Sequence, residues 1–391
     1  MHPRPRRALA DENIPGLDDT FGRHLVLRRF TGRRLERGDL RDADVLLVRS
    51  VTPVGEDLLA GSQVRFVGTA TIGTDHLDTD FLARAGIAWA SAPGCNADAA
   101  AQYTLAMMLL ACRRLGRPLA AQRVGIVGHG KVGSRLRRLL DTLGITTAVC
   151  DPPLVASGSL TAAGGVGLEG VPLERALGCD VVSLHVPLTD HGPWPTRGMI
   201  DDAAIGAMPR GALLVNAARG GVVRETPLRQ ALIDRRIHAA LDVWPREPEV
   251  DGALLELCTV ATPHVAGFSV EGKTRGTRMI YEAFLDWIGQ ATGRAEAPPA
   301  AHVARRLRLA LTGDPAAVIA DAVFEATGVA ADDERMRAET PICAERFDAL
   351  RRAHAPRHEF ARIAIGLPEQ AAAAQEALGA LGFQLEQPGV P

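Results

Sequence analysis

The sequence lacks several features that would assign it quickly to a class of protein. It has almost no net charge, formally -2 at pH 7 over 391 residues, so no general attraction to nucleic acid or to an anionic membrane is expected. It has no apolar run of transmembrane length, and only three apolar residues separate the basic N-terminal stretch from Asp11, too few for the core of a signal peptide. These absences predict a cytoplasmic protein without a membrane or nucleic-acid partner.

Paired cysteines and metal-ligand spacings are also missing. The six cysteines include no C-x-x-C pair, and they lie at positions 95, 112, 150, 179, 258 and 343. We therefore expect reduced, mostly buried thiols and no metal site, with a redox or catalytic thiol as the alternative.

Short apolar runs bounded by turn residues recur through the first 267 residues. Such continuous apolar strands are buried on both faces, which is typical of parallel sheets covered by helices. Helical patterns lie between them, and the alternation predicts an α/β fold with two doubly wound parallel sheets. The runs are 42–50, 64–71, 86–93, 124–130, 146–151, 180–187, 211–220, 237–244 and 258–267.

The composition changes near the C-terminus. Residues 289–302 are rich in Ala, Gly and Pro, which predicts a linker. The strand and helix patterns beyond it predict a small α+β module. Its basic pairs, Arg305-Arg306 and Arg351-Arg352, lack interleaved aromatic residues, so we interpret them as solvated surface and not as an RNA site.

The stretch VGIVGHGKVG, residues 124–133, resembles a dinucleotide-binding fingerprint. An apolar strand runs into Gly128-x-Gly130-x-x-Gly133, which opens a leucine-rich helix. The glycines permit a tight turn and let a pyrophosphate approach backbone N–H groups at the helix N-terminus. Lys131 and Val132 complete this predicted cofactor loop.

Asp151 follows the next predicted strand, 23 positions after Gly128. A carboxylate there can accept hydrogen bonds from both ribose hydroxyls and would repel a 2′-phosphate, so NAD is favoured over NADP. The alternative is that Asp151 simply begins a turn before Pro152-Pro153.

Four side chains follow successive apolar strands beyond the fingerprint: Arg219, Asp242, Glu247 and His264. Ligands of open α/β sheets bind at the carboxyl ends of the strands, so these residues can converge. They suit hydride transfer from a 2-hydroxy acid: arginine binds the carboxylate, histidine accepts the hydroxyl proton and glutamate supports the imidazolium. Taken singly, each could be a surface ion pair or a hydrogen-bonded core residue.

Several multi-residue segments resemble the D-isomer-specific 2-hydroxyacid dehydrogenase family. Among them are ADENIP (10–15), LLVRSVT (46–52), FVGTATIGTDHLD (66–78), APGCNA (92–97), CDPP (150–153) and HVAGFSVEGKTRGT (264–277). Within that family they are most similar to the enzymes that oxidise 4-phospho-D-erythronate with NAD during pyridoxal 5′-phosphate (vitamin B6) synthesis. The alternatives are oxidation of 3-phosphoglycerate for serine synthesis, or a non-catalytic, corepressor-like protein that senses NAD.

The resemblance implies a domain order and further site residues. The substrate domain would span 1–98 and return at 268–292, around an NAD-binding Rossmann domain at 99–267, with a C-terminal dimerisation domain at 293–391. The implied partners are a phosphorylated 2-hydroxy acid and a second copy of the chain. The implied catalytic set is Arg219, Glu247 and His264; Asp151, Val186, Asp242 and Gly267 would bind the cofactor, and Arg49, Ser50, Thr71 and Phe268 the substrate.

Two of these positions depart from the pattern of the subfamily. Phe268 stands where tyrosine is usual, which removes a hydroxyl worth about 1 kcal/mol in binding. Val186 replaces a common threonine near the cofactor. Neither change removes a group that the reaction requires.

Overall fold

The computed structural model describes residues 6–31, 33, 35–161, 167–290, 302–309, 314–367 and 371–386, so the predicted linker at 289–302 lies mostly outside the described residues. Residues 6–96 contain β1 (Arg7–Asp11), β2 (Val26–Phe30), β3 (Val45–Val48), α1 (Glu56–Leu59), β4 (Phe66–Thr69), α2 (Thr79–Arg84) and β5 (Ala88–Ala90). Residues 97–195 contain α3 (Ala97–Arg114), β6 (Val124–Val127), α4 (Gly133–Thr142), β7 (Thr147–Cys150), α5 (Pro152–Ala156), α6 (Leu173–Leu177) and β8 (Val181–Leu184).

The second half of the chain continues the alternation. Residues 196–290 contain α7 (Asp202–Ala207), β9 (Ala212–Asn216), α8 (Glu225–Ile233), β10 (Ile237–Leu241), α9 (Gly252–Leu257), β11 (Val260–Ala261) and α10 (Val270–Trp287). Residues 302–386 contain β12 (Arg305–Arg308), α11 (Pro315–Thr327), α12 (Val329–Ala338), α13 (Ala344–Arg352), β13 (Ile363–Gly366), α14 (Ala372–Ala380) and β14 (Gln384–Glu386).

The chain forms two compact units. Of the described residues, those between 6 and 96 and between 270 and 290 form the first unit, and those between 97 and 269 and between 302 and 386 form the second. The sequence interpretation set residues 293–391 apart as a domain, whereas the structure groups the described residues from 302 onward with the nucleotide-binding fold. The physical reason is a shared apolar core, in which side chains of α3 and β6 pack with those of α11, β13 and α14.

The first unit is built on a five-stranded parallel sheet in the order β2-β1-β3-β4-β5. The strand order reverses between β1 and β3, where doubly wound folds bind ligands. On one face α10 buries Ile280 and Phe284 against Phe66 of β4. This close approach requires Gly276, because a Cβ there would lie 2.9 Å from the carbonyl oxygen of Ala70.

The second unit contains a six-stranded parallel sheet in the order β11-β10-β9-β8-β6-β7 and a smaller parallel sheet, β12-β13-β14. Strands β6, β8 and β9 are buried throughout. All carboxyl ends of the large sheet meet at one edge, with the reversal of order between β6 and β8. The residues that follow β6 to β11 therefore lie along one rim, which is where the sequence places its candidate site.

Candidate active site

The glycine-rich turn after β6 has the shape of a phosphate-binding loop. Gly128 has a φ of +93°, and a Cβ at this position would lie 2.7 Å from the backbone of His185. A Cβ at Gly133 would lie 2.0 Å from the carbonyl oxygen of Gly128, so only glycine lets α4 start so close to β6. Gly130, in contrast, is exposed and faces open space, and Lys131 beside it is exposed. The loop therefore offers room for a pyrophosphate at the N-terminus of α4.

Asp151 lies at the carboxyl end of β7 and shapes that loop. One carboxylate oxygen accepts a hydrogen bond from the N–H of His129 at 2.7 Å, and the other caps α5 through the N–H of Leu154 at 3.0 Å. The turn expected as the alternative is thus present. Each oxygen keeps a second lone pair, and the side chain is partly exposed, so the residue also fits a ribose diol beside the loop.

We expect Asp151→Asn to change the choice of cofactor. The substitution removes the negative charge that repels a 2′-phosphate, so the NADP-to-NAD ratio of kcat/KM should rise roughly tenfold, equivalent to about 1.4 kcal/mol. Steady-state kinetics with both cofactors measures this ratio. Asp201→Asn is the matched control, since Asp201 caps α7 through the N–H of Ala204 at 3.0 Å. An equal change of the ratio in both variants would refute the assigned role of Asp151.

His264 and Glu247 form a close pair near the ends of β11 and β10. The His264 Nδ1 and Glu247 Oε2 atoms are 2.6 Å apart, and the two side chains are 31% and 21% exposed. An ionised carboxylate only accepts hydrogen bonds, so Nδ1 carries the proton and Nε2 keeps its lone pair. His264 has a φ of +54°, a conformation that costs about 1–3 kcal/mol for a non-glycine residue and persists only where its surroundings enforce it.

The pKa of Glu247 lies below its usual value. Burial alone would raise this pKa, but the positive charge of His264 in its protonated form and the hydrogen bond from its ring lower it, with further contributions from the Trp244 backbone N–H and the charge of Arg351. The carboxylate is therefore ionised at neutral pH. Because the folded pKa is depressed, its contribution to stability is present above the ordinary glutamate pKa and is lost as pH falls through the depressed value.

Glu247→Gln should weaken catalysis and move its pH dependence. Loss of the charge-assisted hydrogen bond is worth about 1.5–3 kcal/mol, so kcat should fall roughly 10- to 100-fold. Without the carboxylate the protonated imidazole is less favoured, so the acid limb of kcat/KM for alcohol oxidation should move to lower pH. Glu282→Gln, which removes a partner of Arg278 on α10, should leave the limb in place. An unmoved limb in Glu247→Gln would contradict the pairing.

Asp242 holds residues 264–268, which we call the catalytic loop, by hydrogen bonds to their backbone. This carboxylate is fully buried and accepts hydrogen bonds from the Thr262 hydroxyl at 2.7 Å and from the N–H groups of Val265 and Ala266 at 2.9 Å. The structure therefore shows Asp242 as an organiser of this loop, and its expected contact with the cofactor stays a prediction.

Trp244 joins the catalytic pair to Thr262, which lies two residues before the catalytic loop. Its backbone N–H donates to Glu247 Oε1 at 2.7 Å, and its buried indole N–H donates to the carbonyl oxygen of Thr262 at 3.0 Å. Sequence reasoning missed this role. An aromatic residue with a polar tip between Asp242 and Glu247 was the available signal.

Arg219 lies in the turn after β9, the strand next to β10. The Asn216 side chain forms this turn, donating to the Arg219 carbonyl oxygen at 3.0 Å and accepting from the Ala218 N–H at 3.1 Å. The next residue must be glycine, since a Cβ at Gly220 would lie 2.0 Å from the Trp244 carbonyl oxygen. The Arg219 turn and the Trp244–Glu247 segment thus touch. Asn216 was also missed, although asparagine at a strand end is a usual turn former.

The remaining residues predicted for this rim lie near the same loops. Val186 follows β8, and its side chain would be 3.0 Å from a Cβ on Gly128. Gly267 and Phe268 end the catalytic loop and are partly buried. The Phe268 ring lies edge-on to His354, with centroids 5.9 Å apart, and beneath the Arg351 guanidinium at 5.5 Å. The interpretation of Arg351 as solvated surface is therefore wrong, because α13 turns it inward onto an aromatic ring.

Three predicted substrate residues belong to the first unit, at the carboxyl ends of β3 and β4. Arg49 pairs with the buried Asp11 at 3.0 Å, and the arginine side chain is 28% exposed. This ion pair holds the end of β3, and it also fixes a cation where the strand order reverses. Ser50 is exposed, and the Thr71 hydroxyl is 2.9 Å from that of Thr69.

Burial makes several of the thiols poor nucleophiles at neutral pH. Five of the six cysteines are buried, Cys343 is exposed, and none forms a disulfide. Burial raises the pKa of Cys112 and of Cys150 to about 11 and that of Cys258 to about 12, so these thiols are protonated at neutral pH. In the part of the chain that the structure describes, we find no cluster of three metal-ligating side chains and no helix that could span a bilayer.

Known proteins resemble the chain both in fold and in sequence. The crystal structure of the TT0316 protein from Thermus thermophilus superposes with a TM-score of 0.63 at 24% identity, over 72% of this chain and 97% of that one. D-lactate dehydrogenase from Aquifex aeolicus, complexed with NAD and lactic acid, gives 0.62 at 23% identity, over 73% and 96%. At these identities the similarity establishes the fold.

The sequence relatives are closer. Erythronate-4-phosphate dehydrogenase of Pseudomonas entomophila (strain L48) is 45% identical over 96% of this chain and 98% of its own length. The protein of that name from Pseudomonas aeruginosa is 44% identical over 97% and 100%. Residues 101–266 match the NAD binding domain of the D-isomer specific 2-hydroxyacid dehydrogenases. The chain therefore belongs to the erythronate-4-phosphate dehydrogenases, within the D-isomer specific 2-hydroxyacid dehydrogenase family.

Proposed function

We propose that this protein oxidises the C2 hydroxyl of 4-phospho-D-erythronate to (R)-3-hydroxy-2-oxo-4-phosphooxybutanoate, with NAD as cofactor, in pyridoxal 5′-phosphate synthesis. The observation that carries the proposal is the 2.6 Å His264–Glu247 pair, on the same sheet rim as Arg219 and the glycine-rich loop. The names of the relatives supply the substrate.

Each catalytic side chain has one task in this reaction. Arg219 binds the substrate carboxylate through its planar fork, which stays charged and fixes the orientation of C2. His264 Nε2 accepts the hydroxyl proton as general base, and Glu247 stabilises the imidazolium that results. When bound, NAD supplies the acceptor for the hydride.

The first unit supplies the predicted phosphate recognition. Arg49 provides a cation that Asp11 holds in place, and Ser50 provides an exposed hydroxyl after the same strand. A phosphate needs this combination of charge and donors. Thr71 and Phe268 remain predicted substrate contacts.

We further propose a cytoplasmic homodimer. The cytoplasm suits a protein with free thiols, five of them buried. The dimer rests on the similarity of the C-terminal residues to a dimerisation domain. Light scattering at micromolar concentration tests it, and a monomeric mass would contradict it.

The function is tested by the choice between two phosphorylated acids. Purified protein with NAD and an oxo-acid trap is given 4-phosphoerythronate or 3-phosphoglycerate, and NADH formation is followed. We expect a clear preference for the four-carbon acid. Preference for the three-carbon acid would assign the protein to serine synthesis instead, and NADH binding without oxidation of either acid would favour the NAD-sensing alternative.

A further inference from the structure

We propose that Arg357, in the C-terminal segment after α13, is a positioning residue for His264, so that the C-terminal residues form part of the catalytic apparatus. This inference rests on the proposed function, in which His264 is the general base. It concerns a residue remote in sequence from every predicted catalytic side chain.

Arg357 holds the carbonyl groups of the catalytic loop. Its side chain donates to the Phe268 carbonyl oxygen at 2.8 Å, to that of Val265 at 3.4 Å and to that of Ala266. Val265 and Ala266 are almost fully buried, so their carbonyl groups depend on protein donors. Loss of the guanidinium would remove a donor from each of these three carbonyl groups.

Asp242 holds the N–H groups of the same residues. It accepts from Val265 and Ala266 on one side, while Arg357 donates to their carbonyl oxygens on the other. The catalytic loop belongs to no helix or strand. Its backbone makes a turn bond from the Phe268 N–H to the Val265 carbonyl oxygen at 2.8 Å, and Asp242 and Arg357 supply further partners that regular structure would otherwise provide. We call these contacts of Asp242 and Arg357 with the catalytic loop the clamp. The left-handed backbone at His264, directly before the clamped residues, requires such enforcement.

Arg357 is itself held in place. It is only 6% exposed, and its guanidinium lies 4.6 Å from the centre of the Tyr103 ring on α3. The Tyr103 hydroxyl donates to the buried Asp332 of α12 at 2.7 Å, and Asp332 pairs with His354 at 3.2 Å. His354 in turn contacts Phe268. The C-terminal residues thus reach the catalytic loop through a connected, buried network.

A second arginine provides a matched control. Arg337 of α12 also crosses from the C-terminal residues to backbone carbonyl groups of the Rossmann fold, at Cys258 (2.9 Å) and Leu255 (3.4 Å). These carbonyls precede β11 and lie outside the catalytic loop. Arg337→Met therefore tests general attachment of the C-terminal residues, whereas Arg357→Met tests the clamp.

The test compares Arg357→Met, Arg357→Lys and Arg337→Met with the wild type. For Arg357→Met we expect kcat to fall at least tenfold, a changed pH profile and an NAD KM within about twofold, since a misplaced base affects chemistry more than cofactor binding. Arg357→Lys should recover part of kcat, because lysine keeps a cationic donor but lacks the planar fork. Arg337→Met should lower thermal stability and keep the wild-type pH profile.

A second readout needs neither substrate nor cofactor. The downfield proton resonance of the His264 Nδ1–H in its hydrogen bond to Glu247 should shift or broaden in Arg357→Met and stay unchanged in Arg337→Met. If the wild type oxidised neither acid, the proposed function would fail, while this resonance would still test the clamp. A folded Arg357→Met with wild-type kcat and an unchanged resonance would overturn the proposal. If Arg357→Met does not fold, wild-type kcat and resonance in Arg357→Lys would overturn it equally.

Discussion

Replacement of His264 by asparagine is expected to lower kcat by about 100- to 10,000-fold, the range that a general base contributes. Asparagine is preferable to alanine because it tolerates the left-handed backbone that His264 adopts at φ +54°. The loss therefore reports the missing base and not a displaced loop. Steady-state kinetics with the four-carbon acid measures kcat, and fluorescence titration with NADH shows whether the cofactor still binds.

The control for this variant is His238→Asn. His238 lies near the amino end of β10, far along the strand from the carboxyl rim. The His238→Asn variant should keep the kcat of the wild type. A His264→Asn enzyme with full turnover and normal NADH binding would remove the general-base assignment.

Arg219→Met is expected to lower kcat/KM by about 1,000-fold. The variant loses two charge-assisted hydrogen bonds to the carboxylate, each worth about 1.5–3 kcal/mol, and with them the alignment of C2. The kcat/KM of Arg219→Lys should lie between those of Arg219→Met and the wild type, because an ammonium is a point charge without the bidentate fork. NADH binding should change little in either variant.

Arg224→Met serves as the control for the arginine. Arg224 is exposed, lies five positions further along and precedes α8. Its kinetics should match the wild type. If Arg219→Lys and the wild type were kinetically equal, bidentate binding of the carboxylate would be refuted.

The sequence predicted the rim of the Rossmann sheet well, because that rim is encoded locally. Each buried strand is a continuous apolar run, and the polar residue after it marks where the strand ends. The carboxyl ends of parallel strands lie along the same rim of the sheet, so Asp151, Arg219 and His264 were assigned to one rim without knowledge of their contacts. The structure also confirms the two parallel sheets and the further small module with its helices.

Two strands of the first sheet were missed for opposite reasons. β1 is central and buried, but its apolar run is only three residues long and ends in the charged Asp11. β2 is an edge strand that carries Arg28 and Arg29, and its mostly exposed pattern gives no periodic signal. Both strands form because of their neighbours in the sheet, and a short segment of sequence does not show which strands those neighbours are.

The support of the catalytic loop could not be predicted from local pattern either. Arg357 lies 93 positions after His264, and the C-terminal residues were interpreted as a separate module. Arg351 looked like solvated surface because its aromatic partner, Phe268, is distant in sequence. Long-range packing creates these contacts, and a single sequence does not reveal which distant residues meet.

The most direct measurement of the central claim uses 4-phosphoerythronate deuterated at C2. The protein is incubated with NAD, and the NADH formed is examined by mass spectrometry and NMR. The account predicts that the deuterium moves to C4 of the nicotinamide, and that this transfer is lost in His264→Asn. Unlabelled NADH formed from the C2-deuterated acid would mean that oxidation occurs at another carbon, and would contradict the assignment of Arg219 and His264.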